Sequence, residues 1–318
     1  MKKTKKVLIL GGGGFIGRNL AEELLKDRAC SVTVFDAAPG GEAPAGGRYE
    51  FVHGNFLVEA ELEKVFKGRR FDAVVHLVST SLPAGSAQSE MVYDIESNLV
   101  STIRLLGLMH KYKAPRIVFV SSGGTVYGLP DRESGEKGIL ETHATDPICS
   151  HGIIKLAIEK YIQMHGYLYG LKYLILRISN PYGEHHASEV QGLFNVALRR
   201  ALAKEPVTVF GDGGNVRDFI YIKDCVKAVK ALMDRNVAGE VVNVGSGTGL
   251  SVNEALGLVK EVAGGFRIKR EPARRFDVRR AVLDISKLKA LTGFQPTPVL
   301  AGLKNTYNWL IKERKCRH

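Results

Sequence analysis

Cysteine is scarce in this chain, tryptophan occurs once, and acidic residues are outnumbered by basic ones. The four cysteines, Cys30, Cys149, Cys225 and Cys316, form no Cys-x-x-Cys pair. That excludes the common zinc and dithiol patterns and fits reduced thiols in a cytoplasmic protein. No apolar run approaches the roughly 18 residues of a membrane span, so no membrane association is expected. Lysines precede Val7-Leu8-Ile9-Leu10, but the apolar core and small-residue cleavage site of a signal peptide are missing. The shortage of acid leaves 45 Lys+Arg against 33 Asp+Glu, a net charge of +12. Lys2, Lys3, Lys5 and Lys6 supply +4 of it and residues 312–317 supply +3, which leaves +5 for the body. An excess that small suits an anionic small ligand better than a nucleic-acid track, so no nucleic-acid partner is expected.

Glycine, by contrast, is plentiful: 35 of 318 residues, above the usual share of roughly 7%. A chain of this length buries a core without disulfide or metal staples. Short apolar runs alternate with helical-period segments over the first 180 residues or so. The runs Val7–Leu10, Val32–Phe35, Tyr49–Val52, Ala73–Leu77, Arg116–Val120 and Tyr173–Leu176 read as strands buried on both faces. Ile16–Lys26, Glu59–Phe66, Val92–Tyr112 and Ile153–Tyr169 read as the intervening helices. This order predicts an α/β, Rossmann-like, doubly wound parallel sheet over residues 1–180, with later segments returning to it. Residues 181–318 read as a smaller mixed α/β lobe. Its predicted helices are Leu193–Ala203, Cys225–Met233, Asn253–Val262 and Leu300–Lys312, and its strands Val207–Val209, Phe219–Tyr221, Val241–Val244 and Arg267–Lys269. Ala37–Gly47, with Pro39 and Pro44, reads as a loop.

The first chemical motif is Gly11-Gly12-Gly13-Gly14-Phe15-Ile16-Gly17, set between a predicted strand and a predicted helix. Glycines there allow a tight turn and let a pyrophosphate approach the helix N-terminus. Asp36 ends the second strand, 19 residues after Gly17. A carboxylate at that point accepts from a ribose 2′-hydroxyl and repels a 2′-phosphate, so NAD is expected rather than NADP. A second stretch, Val120-Ser121-Ser122-Gly123-Gly124-Thr125-Val126-Tyr127-Gly128, closes another strand. A third, Pro147-Ile-Cys-Ser-His151-Gly152-Ile-Ile-Lys155-Leu-Ala157-Ile-Glu159, puts His151 and Lys155 on one helical face. His185-His186 has no Cys or carboxylate at ligand spacing, and no metal is expected there.

From Lys6 to about Leu310 these motifs resemble an extended short-chain dehydrogenase/reductase. Within that group the match is to the NAD-dependent nucleotide-sugar epimerase/dehydratase family, in particular its UDP-glucose 4-epimerase branch. The resemblance implies that Gly11, Gly14, Phe15, Ile16, Gly17, Asp36, Asn55, Leu77 and Lys155 contact NAD. Asn55, in His53-Gly54-Asn55, stands where the family has an acid. It implies that Asn180, Arg217 and Arg274 hold a nucleotide diphosphate and that Asp277 holds the uridine ribose. Ala281 stands where a bulky aromatic excludes N-acetyl groups, which implies that UDP-N-acetylhexosamines fit as well as UDP-hexoses. The family's signature is Tyr-x-x-x-Lys, and here His151 replaces the tyrosine. The hydroxyl usually found four residues before Tyr127-Gly128 is replaced by Gly123, which leaves Ser122 or Thr125 to assist. Gly124 and Thr125 stand where the 4,6-dehydratases have Asp-Glu.

The reaction so implied is C4 epimerisation through a 4-keto intermediate, with His151 and Lys155 managing the proton. Nucleotide-sugar dehydration and a catalytically impaired binding relative are the alternatives. His151 beside a lysine should be neutral at pH 7 and able to accept a proton. A homodimer is implied through helices 92–112 and 153–169, with Leu99, Ile103, Leu106 and Met109 as a stripe that core packing would explain equally well.

Overall fold

The computed structural model describes residues 4–38, 43–44, 46–81, 88–130, 137–273 and 278–316. The chain divides into two compact units. One comprises Met1–Gly128, Ala144–Arg177 and Val229–Val242, and the other Leu129–His143, Ile178–Ala228 and Asn243–His318.

The first unit is built on strands β1 (Lys5–Leu10), β2 (Cys30–Asp36), β3 (Arg48–His53), β4 (Ala73–His76), β5 (Arg116–Ser122) and β6 (Lys172–Ile178). Its helices are α1 (Phe15–Leu25), α2 (Glu59–Phe66), α3 (Gln88–Asp94), α4 (Ser101–Lys111) and α5 (Ser150–Tyr169). A seventh strand, Glu240–Val244, completes the sheet in the order seventh strand, β6, β5, β4, β1, β2, β3. The sheet is parallel and flanked by helices. Val7, Leu8, Ile9 and Leu10 have no exposed surface, because parallel strands covered on both faces have no wet side. Leu8, Val74, Ile117 and Phe119 from the sheet share a core with Leu105, Leu106 and Met109 of α4 and with Ile154, Ile158 and Ile162 of α5.

Two expectations are corrected here. Val241–Val244 does not belong to a separate mixed region. It pairs with β6 in the parallel sheet, since an apolar strand gains most where both faces are covered. The single helix expected over 92–112 is interrupted by a π-helical turn, Ile95–Val100. Its wider winding turns Ser97 and Asn98 inward, where both are buried. Asn98 Nδ2 donates to Asp94 O at 2.9 Å and Ser97 Oγ to Tyr93 O at 2.6 Å, and single π-turns within helices are frequent at functional sites. The proposed stripe also divides: Leu106 and Met109 are core residues.

The second unit contains β7 (Asn180–Tyr182), α6 (Leu193–Leu202), β8 (Val207–Phe210), β9 (Val216–Tyr221) and α7 (Ile222–Asp234, which continues into the first unit). After the seventh strand of the large sheet, β10, follow β11 (Gly249–Ser251), α8 (Val252–Ala263), β12 (Ile268–Glu271), β13 (Arg280–Ala281), α9 (Ser286–Thr292) and α10 (Val299–Cys316). β9 is the organising strand: β11 pairs with it antiparallel, and β13 and β7 pair with it parallel. Asp218 of β9 has no exposed surface and accepts from Ser246 N, Ser246 Oγ, Gly247 N and Leu283 N. Burial raises its pKa, while these donors act in the opposite sense. β7, β11, β13 and α9 have no clear local signal. They are two- to seven-residue pieces, and pairing partners rather than local periodicity define them.

Candidate active site

The turn between β1 and α1 is closed by glycine for steric reasons. A Cβ on Gly17 would lie 2.4 Å from Gly12 Cα and 2.5 Å from Gly11 O. Gly11 has a φ of +80°, a conformation that favours glycine. No side chain caps α1 at Gly14, and no acidic residue lies in its first turn. Phe15 and Ile16 open the helix. The turn therefore presents bare backbone at a positive helix end, which fits a pyrophosphate. Asp36 sits beside it, with Oδ2 accepting from Gly13 N at 2.9 Å and Oδ1 from Ala38 N at 2.9 Å. Both oxygens are thus oriented next to the turn, as a ribose acceptor requires. Leu77 follows β4 and donates its N–H to Leu10 O at 3.0 Å. Asn55 is exposed, and its side-chain oxygen accepts from Leu57 N at 3.0 Å. Glu61 accepts the Asn55 N–H at 2.7 Å. These glycines, Asp36 and their surroundings fit a dinucleotide.

His151 lies in the first turn of α5 and is 7% exposed; Lys155, one turn on, is 5% exposed. Burial first, and then the charge of Lys155, push the His151 pKa down to about 4, while a backbone hydrogen bond at Ser81 acts the other way. The ring is therefore neutral at pH 7 and carries one lone pair. Lys155 Nζ donates to Val120 O at 3.0 Å and sits 4.9 Å over the Phe119 ring. Burial lowers its pKa to about 8, against the pull of Glu159. Gly152 explains how α5 approaches the β5 loop so closely: a Cβ there would lie 2.6 Å from Thr125 O. Ser122 is half-buried at the end of β5. Thr125 Oγ1 is buried with no hydrogen-bond partner among the described residues. Beside Gly124 a Cβ would meet open space.

Several polar groups around this cluster meet partners that their own motifs do not reveal. Ser81 Oγ lies 3.0 Å from His151 Nδ1. Glu159, the last residue of the third motif, pairs with Arg177 through bonds of 3.1 and 2.7 Å, both side chains being buried, and also accepts from Ser121 Oγ. Removing one member of such a pair costs about 3–5 kcal/mol, because a buried charge is left alone. His76 is buried between Phe56 and Phe119, with Nε2 2.9 Å from Thr102 Oγ1. Burial and Lys155 hold its pKa near about 3. The periodicity of the sequence places these residues on elements but does not show which distant partners they meet.

In the second unit, β9 sets the expected substrate residues in one small sheet. Asn180 is in register with Phe219, and Ala281 with Arg217. Asn180 Nδ2 donates to Asp218 O at 2.9 Å, and Arg217 donates to Val216 O at 2.9 Å and Val278 O at 2.6 Å. A cavity of about 160 Å³ is lined by Asn180, Arg217, Phe194, Phe219, Gly192 and Val252, among others. The rings of Phe194 and Phe219 lie 4.4 Å apart. Ala281 is buried. Arg274 and Asp277 lie outside the described residues. His185 packs its ring against Trp309, centroids 5.4 Å apart, and His186 is buried beside Gly192. No helix among the described residues is long and apolar enough to cross a membrane.

The parallel sheet, the glycine turn and the His-x-x-x-Lys helix together define a dinucleotide-dependent enzyme of the extended short-chain dehydrogenase type. The chain belongs to the NAD-dependent epimerase/dehydratase family, whose model matches residues 7–245. It is 33% identical to a putative UDP-glucose 4-epimerase of Methanocaldococcus jannaschii over 308 residues, which covers 96% of this chain and 98% of that one. Two solved structures are similar along the whole fold. A UDP-glucose 4-epimerase of Thermotoga maritima, crystallised with UDP-glucose, has a TM-score of 0.88 and 31% identity, with 97% of this chain and 99% of that chain covered. A UDP-glucose 4-epimerase of Thermus thermophilus, crystallised with NAD, has a TM-score of 0.86 and 30% identity, with 96% and 99% covered.

Proposed function

We propose that this protein epimerises a UDP-sugar at C4 through a 4-keto intermediate, with His151 as the proton acceptor. The observation that carries this reading is a buried imidazole, neutral above a pH of about 4, one turn before Lys155 at the position of the family's tyrosine. His151 takes the proton of the C4 hydroxyl as the C4–O bond becomes a carbonyl, and returns it after the sugar has turned its other face. When bound, NAD supplies the hydride acceptor for the C4 hydrogen and its donor on return. Lys155 holds positive charge near the ribose and keeps His151 deprotonated. Ser122 assists in place of the hydroxyl absent at Gly123, and Thr125 is the second candidate. Asn180 and Arg217 grip the diphosphate, since guanidinium matches phosphate oxygens two at a time. Arg274 and Asp277 complete that grip as in the family pattern.

Ala281 leaves room beside the sugar C2 substituent, so both UDP-hexoses and UDP-N-acetylhexosamines are substrates. The absence of an acidic pair at Gly124 and Thr125 favours epimerisation over dehydration. A second reading, a catalytically impaired relative that binds NAD and nucleotide sugar, is favoured by Gly123 together with His151.

The test is incubation with UDP-glucose, UDP-galactose and their N-acetyl counterparts, scored by epimer formation. Turnover is expected, and His151→Ala should lower it about 10²- to 10⁴-fold, the usual contribution of a general base, while NAD still binds. Unchanged turnover in His151→Ala sinks the assignment of the base. Turnover absent in the native protein but present in His151→Tyr establishes the impaired relative.

A further inference from the structure

A histidine base has a requirement that a tyrosine base does not. Neutral imidazole carries one proton and one lone pair, and the hydrogen bond at one ring nitrogen decides which nitrogen remains basic. His151 Nδ1 already has a partner: Ser81 Oγ, 3.0 Å away, on a residue that is 6% exposed.

Both members of this pair are anchored to the same segment. Next to Ser81, Thr80 N donates to Asn98 Oδ1 at 2.9 Å, and Asn98 Nδ2 donates back to Thr80 Oγ1 at 2.7 Å. Thr80 Oγ1 also lies 2.6 Å from Ser97 Oγ. Next to His151, Ser150 Oγ donates to Asp94 Oδ2 at 3.1 Å. Asp94 at the end of α3, with Ser97 and Asn98 of the π-turn, thus ties the Ser81 segment and the start of α5 to one stretch of chain.

We propose that the Ser81 hydroxyl is a positioning group. It accepts the Nδ1 proton of His151 and so leaves Nε2 with the lone pair that takes the substrate's proton. The inference rests on the reading of His151 as the base. In the forward step the C4 hydroxyl O–H bond breaks, its proton joins Nε2, and the oxygen's electron pair forms the carbonyl as the C4 hydrogen departs as hydride to NAD. Ser81 neither gains nor loses a proton. The charge of Lys155 disfavours a second proton on the ring.

The first test reads the tautomer directly. In the native protein with NAD, ¹⁵N-histidine NMR, with His151 assigned through His151→Gln, should show Nδ1 protonated and Nε2 unprotonated. An Nε2-protonated ring overturns the proposal, whatever the activity.

The second test is kinetic. Ser81→Ala should shift His151 towards a mixed tautomer and lower kcat about tenfold with KM within a factor of two, and Ser81→Thr should restore both. An unchanged kcat in Ser81→Ala against native His151 rejects the role of the hydroxyl. An unchanged kcat in His151→Ala rejects the base itself, so the two failures are distinguishable.

Discussion

At the residue scale, exchanging phenol for imidazole changes the electrostatic task of the site. A tyrosine must be ionised by its neighbour before it can act, whereas a buried histidine need only be kept neutral. Burial and Lys155 do that here by holding the His151 pKa near about 4. Lys155 is itself lowered by burial to about 8. On the proposed mechanism His151 acts deprotonated and Lys155 protonated, so kcat/KM should rise as pH climbs through about 4 and fall through about 8, the pH dependence of the free enzyme. An acid limb near the ordinary histidine value would show that burial and Lys155 do not lower the His151 pKa. His151 and Lys155 were legible in the sequence because a helix fixes their spacing of four. Ser81 was not, since it comes from the loop after β4, 70 positions from its partner.

At the element scale, the glycine turn shows how a backbone conformation can be read from composition. Gly17→Ala forces a Cβ to within 2.4 Å of Gly12 Cα, so the turn must open and the helix start must move away from its ligand. Titration of NAD into the variant should show affinity reduced at least tenfold, with the far-ultraviolet spectrum kept; native affinity would show that the turn does not hold the pyrophosphate. The inner strands of the first unit were legible because burial on both faces writes unbroken apolar runs; Tyr49–Val52 was expected to be covered in the same way, but β3 lies at the sheet edge and alternates exposed and partly buried residues. The π-turn at 95–100 was not legible, because no period in the segment marks it and the side-chain bonds its Asn98 makes with Thr80 join residues 18 apart. β10 was visible as a strand, but its pairing with β6 was not.

At the scale of the whole molecule, three buried histidines make stability depend on acid. His76, His151 and His186 have pKa values held to about 3, about 4 and about 4, burial being the largest cause in each. Unfolding returns them to the ordinary value near 6.5. The unfolded chain therefore binds more protons between about pH 6.5 and 4, and stability must fall as pH falls through that window. A thermal midpoint that drops steadily below pH 6.5 is expected, and a level midpoint down to pH 5 contradicts it. The first unit also exposes Val92, Tyr93 and Ile95 on α3 and the π-turn, and Ile153, Tyr161, Met164 and Leu168 on α5. These exposed residues, rather than Leu106 and Met109, are proposed to meet a second copy of the chain. Sedimentation should give a dimer that Tyr93→Glu with Met164→Glu dissociates; a native monomer removes the proposal.

By itself the sequence determined the parallel-sheet architecture, the glycine turn with Asp36, and the His151–Lys155 pair. Each depends on spacings within one strand, turn or helix, where geometry is local. Only the tertiary structure decided what meets these groups. It joined β10 to the sheet, aligned Asn180 and Ala281 with β9, and set Ser81 against His151. Such contacts join residues far apart in the chain, and they arise because buried polar groups must find partners once water is gone.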